Sequence, residues 1–408
     1  MKYLSFFLKF SQNMISVQEA TSIILSHLWT SKTERVDLGN AVGRILAEPI
    51  LADRDFPPFN RVSMDGIAIS ANAFQYGRLE FAIEGIQSAG MPPLKLNNSE
   101  SCIEVMTGAM LPEGTDAVVR YEDVQIANNN ATVLITEILA GQNIHPQSQD
   151  ATKNQQLLSP GLKISPAEVA LLASVGKSKV SVFSFPKTAI ISTGDELIDI
   201  DQTPLPHQIR RSNDTALQAA LNELGCVSNK FHLTDSLESL KNNLKKIYQD
   251  HELIILSGGV SKGKFDFVPE VLESLGVQKL FHQVSQKPGK PFWFGVSEKH
   301  TVFALPGNPV STYMCFYRYI KPWLMKSLSS ELSTSQALLA KDFIFKPQLT
   351  YFLQVKIKNE DGKLMAYPDA GGGSGDFANL KAVDGFLELP LEKSEFKAGE
   401  VFPYYSFR

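Results

Sequence analysis

The spacing of apolar positions changes several times along the chain, and each change predicts a different kind of structure. After Met14, apolar residues at helical spacing in ISVQEATSIIL begin at Ser16-Val-Gln-Glu19. This is a capping box, Ser at the N-cap with Glu three residues on, and it predicts a helix to about Trp29. Residues 51–149 instead carry short β-type runs (GIAIS, LEFAIEG, CIEVMTG, DAVVRYEDV, ATVLITEIL) broken by Gly, Pro and Asn. A second capping box, Ser165-Pro166-Ala-Glu168, has proline at the first helical position, and Gly176 closes that helix. The simplest account is a helical connecting domain, residues 14–50 and 150–177, with a β-rich domain inserted at 51–149.

From Val180 the texture is that of an α/β protein. TAIIS, ELIIL and TVFAL read as buried strands, and TALQAALNELG, LESLKNNLKKIYQD, FVPEVLESLG and VSTYMCFYRYIKPWL as helices. Strands alternating with helices at this spacing predict a doubly wound, mostly parallel sheet over 178–327. After about Ser330 the alternating runs return (DFIFKP, YFLQVKIK, KLMAYPD, GFLELPL), predicting a small closing β domain over 328–408. The fold class is therefore multidomain α/β.

Composition narrows the function classes. The 408 residues are 43% hydrophobic and 20% charged, with a net charge of −4. Such a chain has no general attraction to nucleic acid or to an anionic membrane, and no apolar stretch reaches the length of a membrane span. Cys102, Cys226 and Cys315 are widely spaced, odd in number and without metal-ligand spacing. They read as small buried hydrophobes in a reducing cytoplasm. The start, MKYLSFFLKFSQN, resembles a signal segment, but Lys9 interrupts the apolar run and no cleavage site follows. Residues 1–13 are read as a disordered upstream extension, with Met1 and Met14 both open as the start.

The chemistry concentrates at strand ends, where doubly wound sheets bind ligands. AIIS runs into Thr193-Gly194-Asp195-Glu196, LIIL into SGGVSKGKFD (257–266), and VFAL into Pro306-Gly307-Asn308-Pro309. The second loop is almost a P-loop, but Phe265 stands where Ser or Thr would meet a magnesium ion. Its glycines still let backbone N–H groups close around phosphate. Asn308 at an N-cap and Pro309 at the first helical position would leave the amides of Val310 and Ser311 facing an anion. Lys287-Pro288-Gly289-Lys290-Pro291 adds two cations on a rigid turn, which read either as oxyanion ligands or as surface lysines. Glu196 and Asp266 beside such amides suggest Mg2+ held by carboxylates in place of the missing hydroxyl. Singly, each loop also reads as ordinary turn punctuation; together, at successive strand ends, they favour a phosphate site.

STGDEL (192–197), SGGVSKGKFD, KPGKP (287–291) and LPGNPVS (305–311) resemble the molybdopterin molybdenumtransferase family, that of MoeA and the gephyrin E-domain. FPPFNRVSMDGIA (56–68), VMTGAMLPEGTDAVV (105–119) and GQNI (141–144) match it too, in order from about Ile15 to the C-terminus. The resemblance implies an elongated homodimer of four-domain chains, with a molybdopterin-binding α/β domain and a β-barrel-like last domain. It implies that adenylylated molybdopterin and molybdate react in a Mg2+-dependent step that releases AMP and leaves molybdenum on the dithiolene. Molybdopterin adenylyltransferase is the implied donor of substrate. The implied site lies between the α/β domain of one subunit and the inserted domain of the other, which gives Asp65 and Thr107 a catalytic role across the dimer.

Carried over by position, Glu196, Asp235 and Asp266 fall on the family's functional carboxylates, and Asp150 on the one after GQN. Lys287, Lys290, Pro291, Pro306, Pro309 and Ser311 fall on its pterin and oxyanion loops. Thr193, Gly194, Ser257, Gly258, Gly259, Ser261, Gly263 and Asn308 complete the expected binding set. The chain departs from the family at His145-Pro146-Gln147, where a basic run is usual, and at Asn60-Arg61-Val62. Leu353 and Ala378 or Asn379 stand where several relatives have an arginine and a serine for molybdate. Arg61, Arg210 and Arg211 are candidates for the missing charge. Two alternatives stay open: an adenylyltransferase, which uses a similar α/β domain alone, and a non-catalytic molybdopterin carrier or scaffold. The inserted and closing domains speak against the first, and Asp65, Glu196 and Asp266 against the second.

Overall fold

Six strands make the sheet that organises the middle of the chain, in the order Ser228–Leu233, Thr188–Thr193, Leu253–Ser257, Thr301–Leu305, Pro291–Val296, Gln278–Gln283. The first four run parallel, Pro291–Val296 runs against them, and Gln278–Gln283 at the edge is antiparallel to Pro291–Val296 and so points the same way as the first four. The computed structural model describes residues 14–234, 236–259, 267–331 and 334–408. The extension 1–13 and the expected site residues Asp235, Ser261, Gly263 and Asp266 lie outside the described residues.

The inner parallel strands are buried along their whole length because helices cover both faces. On one face Leu237–Asp250 buries Leu240, Leu244 and Ile247, spaced i, i+4, i+7, beside Val271 and Leu272 of Val268–Ser274. Each such side chain contributes about 1.5–3 kcal/mol of burial. On the other face lie Leu217 and Leu221 of Asn213–Glu223, together with Met314, Phe316 and Trp323. Val17, Ala20 and Ile24 join this second core. The first helix, Val17–Ser26, thus belongs to the connecting region in sequence but packs against the α/β layer; its capping box is fully formed.

The last helix of this region is not continuous. It runs as α-helix over Pro309–Cys315, as π-helix over Phe316–Ile320 and as α-helix again over Lys321–Ser327. Pro322 has no N–H for the Arg318 carbonyl and its ring crowds that oxygen, so the hydrogen-bond ladder shifts one residue there. No described helix is long and apolar enough to cross a membrane.

The inserted region is a second six-stranded sheet, ordered Ala117–Arg120, Gly66–Ile69, Ser101–Val105, Glu80–Gln87, Asn130–Val133, Val124–Ala127. Ile67, Ile69 and Val119 feed one core and Ala68, Ile103 and Val118 another, so the sheet is packed on both faces. Short strand pairs tie the two sides of the insertion together: Thr33–Asp37 with Lys179–Phe183, and Ile50–Leu51 with Gln156–Leu158. The helix Pro166–Ser174 carries the second complete capping box, and Gly176 follows at φ +73°.

The C-terminal strands close on themselves. Thr350–Glu360 pairs with Lys363–Pro368, which leads through Ser335–Leu339 and Val401–Ser406 to Gly385–Leu389 and back to Thr350–Glu360. Gln286–Lys287 adds a parallel strand to this barrel from the α/β region. A buried ion pair, Arg318 Nε to Glu388 Oε2 at 2.7 Å, joins the π-helix to the barrel, with Tyr319 and Tyr405 stacked near the guanidinium. Burial is the largest single influence and works against the Arg318 charge, but Glu388, Tyr405 and Tyr319 together outweigh it and raise the pKa. The three cysteines are free and buried, and burial pushes the Cys226 thiol up to about 11.

Candidate active site

A cavity of about 490 Å³ opens at the carboxyl ends of the parallel strands. Its walls come from the three loops singled out in the sequence: Thr193, Gly194 and Glu196; Ser257, Gly258 and Gly259; Pro306, Asn308 and Pro309. Pro291 adds an edge. The backbone there can be built only with glycine. Gly258 has φ +98°, and a Cβ on it would stand 2.9 Å from the Thr193 carbonyl oxygen. A Cβ on Gly259 would meet the Thr193 hydroxyl at 2.9 Å.

Several polar atoms of the walls make no hydrogen bond within the protein. Thr193 Oγ1, Asn213 Oδ1 and Asp214 Oδ2 are all buried without a hydrogen bond. Buried polar groups are nearly always paired, so unpaired ones lining a cavity mark where a ligand or its water belongs. Glu196 also lines the cavity, its carboxylate folded back over Gly194.

Sequence reasoning missed Asn213. Its Nδ2 donates to Ser257 Oγ at 2.8 Å and to the Gly307 carbonyl at 2.7 Å, pinning two of the loops together. Nothing in its spacing marked it, because in sequence it reads only as the start of a helix. Arg210 and Arg211, named in the sequence as possible replacements for missing charge, do line the cavity.

Other expected residues lie elsewhere. Lys287 and Lys290 are exposed and are not among the cavity's walls; Lys287 Nζ sits 5.6 Å over the Phe345 ring of the barrel. Ser311 is buried in its helix, off the wall. The amides after Pro309 are not both free, as the sequence suggested: Val310 N–H donates to the Ser374 carbonyl at 3.2 Å. Asn308 holds the N-cap backbone conformation, but its side chain donates to Ser374 Oγ at 2.9 Å instead of capping. A serine of the barrel therefore does reach this loop, while Leu353 is buried and Asn379 donates to the Asp369 carbonyl.

The remaining residues gather in the inserted and connecting regions. Asp65 and Thr107 are in direct contact, with both the N–H and the hydroxyl of Thr107 donating to one carboxylate oxygen. Those bonds, the backbone one first, hold the Asp65 pKa below the ordinary aspartate range. The strand pair Arg61–Val62 and Ile144–His145 sets Arg61 opposite His145. Arg61 donates to His145 Nδ1 at 3.0 Å, so Nε2 carries the ring proton and donates to Asp150 Oδ1 at 2.9 Å. None of these residues lines the strand-end cavity of the same chain.

Family comparison covers the whole arrangement. Residues 15–176 match the model described as MoeA N-terminal region (domain I and II), 189–326 a probable molybdopterin binding domain, and 336–407 the MoeA C-terminal region (domain IV). A molybdopterin molybdenumtransferase of Synechocystis sp. is 41% identical over 399 residues, 97% of this chain and 100% of that protein. One from Bacillus subtilis is 32% identical, covering 94% of this chain and 92% of its own. Among solved structures, a molybdopterin biosynthesis moeA protein from Pyrococcus horikosii superposes with a TM-score of 0.82 at 31% identity, over 97% of this chain and 100% of that one. With all three regions in family order on one shared fold, the chain belongs to the molybdopterin molybdenumtransferases, the MoeA family.

Proposed function

We propose that this protein is an enzyme of molybdenum cofactor biosynthesis that inserts molybdenum from molybdate into adenylylated molybdopterin and releases AMP. The observation that carries this is the single cavity formed by the Thr193, Ser257–Gly259 and Pro306–Pro309 loops, in a chain matched end to end by molybdenumtransferases. The glycine amides are suited to cradle phosphate, and the unpaired Thr193 hydroxyl can donate to a ligand oxygen. Loops with the same cavity-facing atoms position the pterin nucleotide; preorganised donors then oppose the charge that develops as the phosphoanhydride breaks. Nothing favours an adenylyltransferase, since the relatives that match span the inserted and barrel regions as well as the α/β sheet.

Glu196 would hold Mg2+ here, with Asp266 as the second carboxylate expected from sequence. The donor fits: Glu196 lines the cavity with a carboxylate, the hard oxygen ligand this ion takes. Mg2+ is ordinarily bound by one or two carboxylates, with phosphate oxygens and waters completing the shell. When bound, the ion screens charge on the phosphate oxygens.

The protein is proposed to work as a homodimer, Asp65 and Thr107 of each subunit completing the cavity of the other. Within one chain residues 51–149 do not reach the described walls of the cavity. A molybdopterin adenylyltransferase is the proposed supplier of substrate, because the adenylylated form must be made before it is consumed. The test is to incubate the protein with adenylylated molybdopterin, Mg2+ and molybdate and follow AMP. Release that requires molybdate is expected; absence of release with substrate demonstrably bound would overturn the reading.

A further inference from the structure

We infer that Arg211 is the cation that receives the phosphate-borne charge of the ligand in the strand-end cavity, and that Asp199 occupies it until that anion arrives. This role rests on the assignment of the cavity to a phosphate-bearing substrate. Among the described residues, Arg210 and Arg211 are the only cations on the cavity walls. Arg210 Nε is already tied to the Gln202 carbonyl at 3.0 Å, and the Arg210 side chain is exposed. Arg211 is held differently: its side chain is only 16% exposed and lies between two carboxylates.

The two carboxylates are not equivalent. Asp214 is 1% exposed, and its Oδ2 lies 3.8 Å from Arg211 Nη1, beyond hydrogen-bond reach. That oxygen has no hydrogen-bond partner. A buried carboxylate left this way needs a permanent countercharge nearby, so Asp214 anchors Arg211 in the wall. Asp199 is 56% exposed, lies outside the cavity walls and contacts Arg211 Nη2 closely. With its carboxylate this exposed, the pair is open to water and to exchange. A phosphate, offering two oxygens to the planar fork, is a better partner than one exposed carboxylate oxygen. The other candidate cations are poorly placed, since Lys287 faces Phe345 and Lys290 is exposed off the wall.

The two aspartates therefore give effects of opposite sign. The test is calorimetric binding of inorganic pyrophosphate with Mg2+ to the full chain, beside AMP release by the wild type. Arg211→Ala should raise Kd about tenfold or more and flatten its dependence on salt, with Arg211→Lys in between because the fork is lost. Asp199→Asn should lower Kd about threefold, because a weak competitor has been removed. If Arg211→Ala does not fold, the Arg211→Ala/Asp214→Asn double variant removes both charges together and should bind as weakly as Arg211→Ala is expected to. Wild-type affinity in the arginine variants, or weakening by Asp199→Asn, overturns the inference. Should the wild type show this binding pattern yet release no AMP, the proposed reaction fails and the role of Arg211 stands. Should it release AMP while pyrophosphate ignores Arg211, only the inference fails.

Discussion

Thr107 grips Asp65 by one oxygen, donating its backbone N–H at 2.6 Å and its hydroxyl at 2.8 Å. Both residues are exposed, so the contact does not serve burial. It fixes the carboxylate in one orientation at the surface of the inserted sheet.

Removing one of the two donors is the direct probe. Thr107→Val keeps the N–H and loses the hydroxyl, so the Asp65 carboxyl should titrate at higher pH by NMR. The sign follows from the lowered pKa in the folded chain: whatever the contact contributes is present above the ordinary aspartate range and fades as pH falls. The acid limb of AMP release should move upward with it. An unmoved Asp65 titration would show that the backbone bond alone sets its state.

A shared site makes a mixing experiment decisive. Asp65→Ala and Glu196→Ala proteins, each inactive alone, should regain part of the activity after subunit exchange, because a mixed dimer carries one intact composite site. No recovery despite exchange seen by mass spectrometry would mean that the two residues do not work together across subunits.

Much of this architecture was legible because it depends on local chemistry. Both capping boxes formed as written, and LESLKNNLKKIYQD matches its helix from end to end. The strands Gln278–Gln283 and Pro291–Val296 were not read as part of the sheet, and neither was Ser228–Leu233. The first and last of these lie at the sheet's edges, and each has a burial pattern too mixed to stand out as a continuous apolar run. In the site, glycines and prolines at strand ends announced the loops, since backbone conformation and residue type are tightly coupled there. The direction of Lys287 and the partners of Asn213 depend on contacts between distant segments, which spacing does not encode.

Glycine's role at the cavity can be separated from glycine as loop filler. Gly258→Ala should cost about 1–3 kcal/mol in chemical denaturation, because it forces a side chain into the left-handed region against Thr193. It should also weaken ligand binding. Gly39 has open space around it, and Gly39→Ala should be neutral or add up to about 1 kcal/mol. Equal effects at the two positions would contradict the tight approach at Gly258.

The Arg318–Glu388 pair should be costly to break and cheap to replace. Glu388→Gln leaves a buried guanidinium without its countercharge and should destabilise by about 3–5 kcal/mol. Arg318→Met combined with Glu388→Leu should lose far less. Hydrogen exchange over residues 350–389 should rise in the single variant first, as the barrel loosens from the π-helix. A single variant as protected as the wild type would make the pair dispensable.

The strand Gln286–Lys287 belongs to the barrel by its pairing and to the α/β region by its chain neighbours. Within it Gln286 accepts from Tyr319 at 2.5 Å and donates to the Gly289 carbonyl at 2.8 Å, and five residues on Pro291 forms an edge of the cavity. The turn is thus a rigid lever with its fulcrum in the α/β core and one arm in each neighbour. A tilt of the barrel would bear on the cavity mouth through this strand, and a chain cut short before the barrel would lose the pairing with Thr350–Tyr351.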